Sequence, residues 1–391
     1  MRRFIKILVG AIILIILAWL AIWFYAEIRL KQLVEADITQ INASNSGDVT
    51  FDKLTTSHFP WIASVALINP RITIKPAEFE TPLSISAAKI GAHMELFHPF
   101  TLHVDFPLKI VIGQPSGAGV LRFVKADITE TLNPSVWFGN TLNPVLSSTA
   151  NFTDIHLLAS NGSLELAKID YLALNQETAT YASKDQTAIT FTEEMQGFHL
   201  SPLFTRLFGV PFDGEIKTLS SSISLSGPLN AEQSAKQEMS LSGDNQRLQF
   251  LMQTLHQWAK SGGHAQGFLY LQIGPSQMQT NFTLAFDKDV QPEGGVHITA
   301  SQLDQFSAAI AASYPSLKTS ISQVEATLSP YLSTTSQNGK ILNMHATYSQ
   351  NGVFMNGQKT GVEPYLNWNI LLSSTPAPAF APGDGSGAEQ P

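Results

Sequence analysis

The residues that could do chemistry are few and loosely spaced. His93, His98 and His103 form the one histidine cluster, with Glu95 between the first two. A metal site needs imidazoles that converge on one point, and His-x-Glu-x-x-His is not the helical spacing that sets two rings on one face. On a strand His93 and Glu95 share a polar face, while Pro99 turns the chain before His103, so the rings could meet only across a hairpin. Half-exposed polar histidines are the expectation, and no metal. Asp154, Asp170, Glu193 and Glu194 show no pairing that distinguishes them from a solvated strand face. Gly113-Gln-Pro-Ser-Gly117-Ala-Gly119 lacks the P-loop lysine, and Pro115 would delete an amide from any phosphate nest. It reads as a turn between strands. No G-x-S-x-G elbow occurs. The chain has no cysteine, which excludes disulfides, thiolate metal sites and cysteine nucleophiles. The expectation is a protein without catalytic residues or cofactor, and not an enzyme.

The elements around these residues begin with an unbroken apolar run, Ile7 to Ala26. About twenty such residues cross a hydrocarbon layer as a helix. Arg2, Arg3 and Lys6 precede it, which predicts a cytoplasmic N-terminus and export of everything after Glu27. Trp19, Trp23 and Tyr25 gather at the exit end as candidate headgroup-level anchors. The rival reading is a cleaved signal peptide. The run is too long for an ordinary h-region, and bulky Trp23, Phe24 and Tyr25 stand where a peptidase wants small side chains. A single-pass signal-anchor in the inner (plasma) membrane is therefore expected, with the bulk of the chain periplasmic.

Net charge is −8, without the basic stripe that nucleic acid requires. After a helical stalk over 27–46 the hydrophobic period drops to two. Leu102, Val104, Phe106, Leu108, Ile110 and Ile112 point one way, a candidate apolar groove or core strand, and Pro107 puts that strand at an edge or in a bulge. Many more short alternating runs follow, separated by Gly, Pro, Asn or Asp. The predicted fold is mainly β (α+β), a large antiparallel sheet that is curled, sandwiched or barrel-like. Two amphipathic helices are expected to pack on it. One is Asn245–Lys260, with the stripe Leu248, Leu251, Met252, Leu255 and Trp258. The other runs from Gln302 to Leu332 with a break at Pro315, and carries Leu317, Ile321, Val324, Leu328 and Tyr331. The domain reading is a stub and anchor at 1–26, the stalk, a β-rich domain at 47–372 with a subdomain break near 227–245, and a disordered Pro/Gly/Ala-rich tail at 373–391.

Several stretches, taken in order, resemble a bacterial family known as domain of unknown function 2125. They are Trp23-Phe-Tyr-Ala26, Phe59-Pro60-Trp61, His98-Pro99-Phe100, Trp258 before Gly262-Gly263, and Gly267 ahead of a strand. Phe286-Asp287-Lys288-Asp289, Gln291-Pro-Glu-Gly294 and Asn351-Gly352-Val-Phe-Met-Asn-Gly357 before Glu363-Pro364 complete the set. His58 stands where the family usually has glycine. The resemblance implies a Gram-negative envelope protein anchored in the inner membrane, and it carries over no catalytic residue. A looser similarity, of architecture alone, is to AsmA-like envelope proteins.

A sheet with one apolar face must cover that face, with acyl chains or with its own helices. The leading expectation is a non-catalytic protein that binds or shields phospholipid or another apolar envelope component. The competitor is a structural or interaction module with a filled core and no ligand, and an envelope enzyme stands well behind. The envelope partners are not readable from sequence.

Overall fold

The computed structural model describes residues 2–43, 47–57, 61–74, 82–114, 117–138, 145–160, 162–179, 182–183, 186–228, 244–335, 339–362 and 365–373. Most of the expected break at 227–245, the tail after Ser373, His58-Phe59-Pro60 and Glu363-Pro364 lie outside the described residues.

The chain opens with one helix, α1 (Arg2–Ala43), so the expected anchor and stalk are continuous. Its stretch Ile13–Ala43 is long and apolar enough to cross a membrane. At 1.5 Å per residue α1 is about 63 Å long, twice what a hydrocarbon layer needs. The second half is therefore free to pack on the body.

The body is a largely sequential meander of antiparallel strands. Its first four rungs are each interrupted once. They are β1 (Gly47–Thr50) with β2 (Lys53–Ser57), β3 (Ile62–Ile68) with β4 (Arg71–Ile74), β5 (Leu83–Ser86) with β6 (Lys89–Glu95), and β7 (Thr101–Asp105) with β8 (Lys109–Gln114). Longer strands follow: β9 (Gly117–Leu132), β10 (Val145–Ala159), β11 (Glu165–Thr178), β12 (Thr187–Leu200) and β13 (Glu215–Ser226). The sheet continues through β14 (His264–Ile273), β15 (Ser276–Phe286) and β16 (Pro292–Ser301). It ends with β17 (Leu332–Thr335), β18 (Gly339–Ser349), β19 (Gly352–Met355) and β20 (Gln358–Lys359). All belong to one 20-stranded sheet, and among the described residues no pairing joins its first and last strands. The sheet is open.

The single strand expected over Thr101–Ile112 is two, β7 and β8, broken at Phe106-Pro107-Leu108. Pro107 has no amide to give a ladder. Gly91 pairs with Asp105 and Ser86 with Val111, so five steps on β5–β6 match six on β7–β8. That extra residue is a bulge, which bends the sheet and increases its twist.

Side chains paired across strands share a face. One row runs Ser64, His93, His103, Thr129, Thr149, Asn175, Thr192, Ser222, Phe268, Asn281, His297, His345. It is polar except at Phe268. The opposite face carries the row Ala126, Phe152, Leu172, Met195, Leu219, Leu271, Met278, Ala300, Leu342, apolar throughout. Period two, held in register over many strands, makes one sheet with a wet side and a greasy side.

The second half of α1 covers the greasy side of the first strands. Ala26 packs with Ala63, Met94, Leu132 and Val136, and Leu33, Leu102 and Trp137 close around them. Trp23 is buried there, its indole donating to the Ile62 carbonyl at 3.1 Å. Arg29 donates to the Val136 carbonyl at 2.8 Å, and the Tyr25 hydroxyl to that of Trp137. Glu130 pairs across the ladder with Leu102 and so shares the face under α1. Burial, and then the negative charge of Asp37 on α1, push its carboxyl above the usual range.

A raised carboxyl pKa in the folded chain means that stability falls as pH rises through that range, from the unfolded value near 4.3 upward. Glu130→Gln should raise the melting temperature at neutral pH. The gain should shrink to nothing below about pH 4, where both states are protonated. Thermal melts across pH check this, and an equal shift at every pH would refute it.

Candidate functional site

The chemistry-bearing residues of the sequence do not assemble into a reaction centre. His93 and His103 stack with ring centres 5.2 Å apart, as the paired register requires, and His93 Nδ1 lies 3.0 Å from Asp105 Oδ1. His98 is at the hairpin tip instead, 3.1 Å from Glu95 Oε2. Both stacked rings belong to the polar row. Among the described residues no three His, Asp or Glu side chains are grouped to hold a metal ion. Lys168 bridges Asp154 at 2.8 Å and Asp170 at 3.0 Å. The bond from Lys168 holds the Asp154 carboxyl below its usual range, and both carboxylates raise the lysine in return. These are paired surface charges.

What stands out is apolar surface left uncovered. The helices lie in the connections at strand ends. α2 (Pro202–Phe208) follows β12, α3 (Asp244–Lys260) precedes β14, α4 (Leu303–Ser313) and α5 (Lys318–Leu328) follow β16, and α6 (Trp368–Ser373) comes last. α3 is fixed by its final turn, where buried Trp258 donates to the Ser226 carbonyl at 3.0 Å. Its first turns leave Leu248 and Leu251 exposed, so the expected stripe is docked at one end only. α4 and α5 enclose an apolar cavity of about 340 Å³ lined by Phe306, Ile310, Ile321 and Leu328 among others. Leu317 and Val324 are exposed there, so this stripe is not fully packed either. A smaller cavity of about 110 Å³ touches the apolar row at Leu271, Met278 and Ala300. Between the helix-covered ends, Phe191 and Ile223 pair across β12 and β13 and are 42% and 45% exposed. Met195, Leu219 and Leu269 beside them are half-buried.

The six residues expected to form one stripe have separate fates. Leu102 lies in the core under α1, and Ile110 is buried. Phe106 packs edge-on against Phe123 and Phe152, each 5.7 Å away, at the bulge. Leu108 is exposed, and Val104 and Ile112 are half-buried. The bulge divides them. Open surface lies instead on β12 to β14, where adjacent Glu193 and Glu194 obscure the alternation in the sequence.

An open β-meander with one polar face, one partly bare apolar face and an N-terminal apolar helix is the class that fold and site define. The chain belongs to the family described as an uncharacterized protein conserved in bacteria (DUF2125), whose model matches residues 23–347. No curated protein and no solved structure matches it. The looser similarity to AsmA-like proteins is not among these findings.

The stretches that carry the resemblance prove to be packing and turn devices. Trp258 lies flat on Gly263, where an added Cβ would come within 2.3 Å of the indole. At Gly267 a Cβ would meet both the Phe282 ring and the Ser222 carbonyl at 2.5 Å. Asp287 accepts the amides of Asp289 and Gln291 at 2.8 and 2.9 Å, closing the turn into β16, and Gln350 donates to it as well. Gln291 Oε1 accepts the Leu366 amide at 2.8 Å, and the Trp368 indole donates to the Val290 carbonyl at 2.7 Å.

Trp258→Phe keeps most of the buried area and leaves the Ser226 carbonyl without its donor. It should cost about 1–3 kcal/mol of unfolding free energy. Denaturant titration measures this, and a change within error would show that the indole bond is dispensable.

Proposed function

We propose that this protein is anchored in the inner membrane by α1, faces the periplasm, and binds or shields lipid or another apolar envelope component on the bare face of its sheet. The observation that carries the reading is the exposed pair Phe191 and Ile223, on the face that also carries half-buried Met195, Leu219 and Leu269, with Glu193 and Ser221 paired between them. Singly exposed apolar residues are ordinary, whereas a contiguous patch on a folded chain marks a surface with an apolar partner. The half-buried part of the row, from Leu172 to Leu271, crosses three strand spacings, about 14 Å. One acyl leaflet is roughly 15 Å deep, so this part of the row is of the length of an extended chain. Burial on contact is worth about 25 cal/mol per Å² of apolar surface, with no polar group needing a partner along that row. The basic residues Arg2, Arg3 and Lys6 before the apolar run support the orientation.

Photo-crosslinking tests the reading on the full chain. With the protein reconstituted in phosphatidylcholine vesicles carrying a diazirine acyl chain, adducts should map to β12–β14 as well as to α1. Phe191→Asp and Ile223→Asp should fold normally, keep the α1 adducts and lose the others. Leu102→Asp, packed against the core under α1, should fail to fold. Adducts confined to α1 in the unsubstituted chain would overturn the proposal and leave a sheet that serves as an interaction module.

A further inference from the structure

Aromatic rings from three separate turns of the body collect beside the apolar helix. Trp19 of α1 lies 5.5 Å from the Trp61 ring and 5.2 Å from that of Phe97, and those two stack at 6.2 Å. Trp61 stands in the β2–β3 turn, Phe97 in the β6–β7 turn, and Phe138 closes the helical turn after β9. All three connections are at the strand ends where α1 meets the sheet. Trp61, Phe97 and Phe138 are 59%, 68% and 84% exposed. Rings this bare in water, on adjacent turns, are not explained by the packing of the body. Beside them an apolar cavity of about 440 Å³ lies between α1 and the turns, bounded by Ile22, Tyr25, Phe100 and Trp137.

The ring patch is continuous with the apolar stretch of α1, which identifies its occupant. We infer that these turns sit in the headgroup layer of the bilayer that α1 crosses, so the sheet stands upright on the membrane on its Trp61–Phe97–Phe138 end. Trp19 precedes Tyr25 by six residues, about 9 Å along the helix axis. The interfacial layer is roughly 5–7 Å thick on each side. With Tyr25 at its outer edge, rings packed against Trp19 reach the boundary with the acyl chains. Aromatic side chains favour that level, and other apolar residues extend the insertion. The seating gives the apolar face of the sheet an end that meets lipid directly. It rests on α1 being the membrane span, not on lipid occupying the face.

The chain's lack of cysteine makes the test direct. Ile15→Cys, Phe97→Cys, Phe138→Cys and Leu164→Cys, each in the full chain, are labelled with a small fluorophore and reconstituted into phosphatidylcholine vesicles. Some vesicles carry a lipid with a nitroxide near the headgroup. Quenching at positions 97 and 138 at least as strong as that at 15, with position 164 at the opposite strand ends unquenched, is the expected result. Quenching at 15 but not at 97 and 138 overturns the seating and leaves the span intact. No quenching at 15 removes the span and the seating together. Quenching at 164 as strong as at 97 shows a body lying flat, and overturns the upright arrangement. Circular dichroism of each labelled variant confirms that the sheet is retained.

Discussion

Cross-strand pairing in one sustained register is the interaction on which the rest of this structure depends. A strand shows its side chains to alternate faces, so a slip of one residue would carry every apolar side chain to the polar side. From β9 to β18 the pairings keep Phe152, Leu172, Met195, Leu219, Leu271 and Met278 in one row and Thr149, Asn175, Thr192 and Ser222 on the other side. A meander keeps this simple in topology, because nearly every rung pairs with the next one along the chain, through a turn or a helical connection. No closure is needed. The consequence is a sheet with two unlike surfaces and no second layer to hide the apolar one.

That apolar surface then has three fates along the sheet. Over the first rungs it is dry, because the second half of α1 brings Trp23, Ala26, Leu30 and Leu33 onto Ala63, Met94 and Leu102. At the far end α4 and α5 cover it loosely, leaving a cavity between them. In between it is bare at Phe191 and Ile223. The helix that is long and apolar enough to cross a membrane is thus also the first piece of the core, through Ala26 and Trp23. Removing α1 would expose Met94 and Leu102, so the helix and the fold are not separable parts.

The overall class was legible because alternation survives in most strands and α1 is unmistakably apolar. Pro107 also announced an edge or a bulge, and the bulge is where a proline without an amide must put it. What the sequence concealed was partnership. The stripe Leu102–Ile112 reads as one strand because its alternation runs straight through Pro107, and only the pairing shows that β7 and β8 meet β9 with registers one residue apart. The bare patch was hidden for a different reason. Phe191 and Ile223 are ordinary residues of ordinary strands, and their exposure depends on where helices from distant connections fail to reach. The histidines look clustered in the chain, yet His93 and His103 are two members of a polar row that crosses the sheet. A row of that kind has no local signature.

The signature stretches sharpen this contrast. Trp258, Gly263, Gly267, Asp287 and Gln291 are spent on keeping strand ends closed and strands close together, through an indole on a glycine and a carboxylate in a turn. Several groups with shifted pKa values belong to the same devices: an ion-paired lysine, turn-capping carboxylates and a glutamate pressed under α1. Chemical identity matters most where the sheet turns and matters least across its broad face, where any apolar side chain of suitable size would serve.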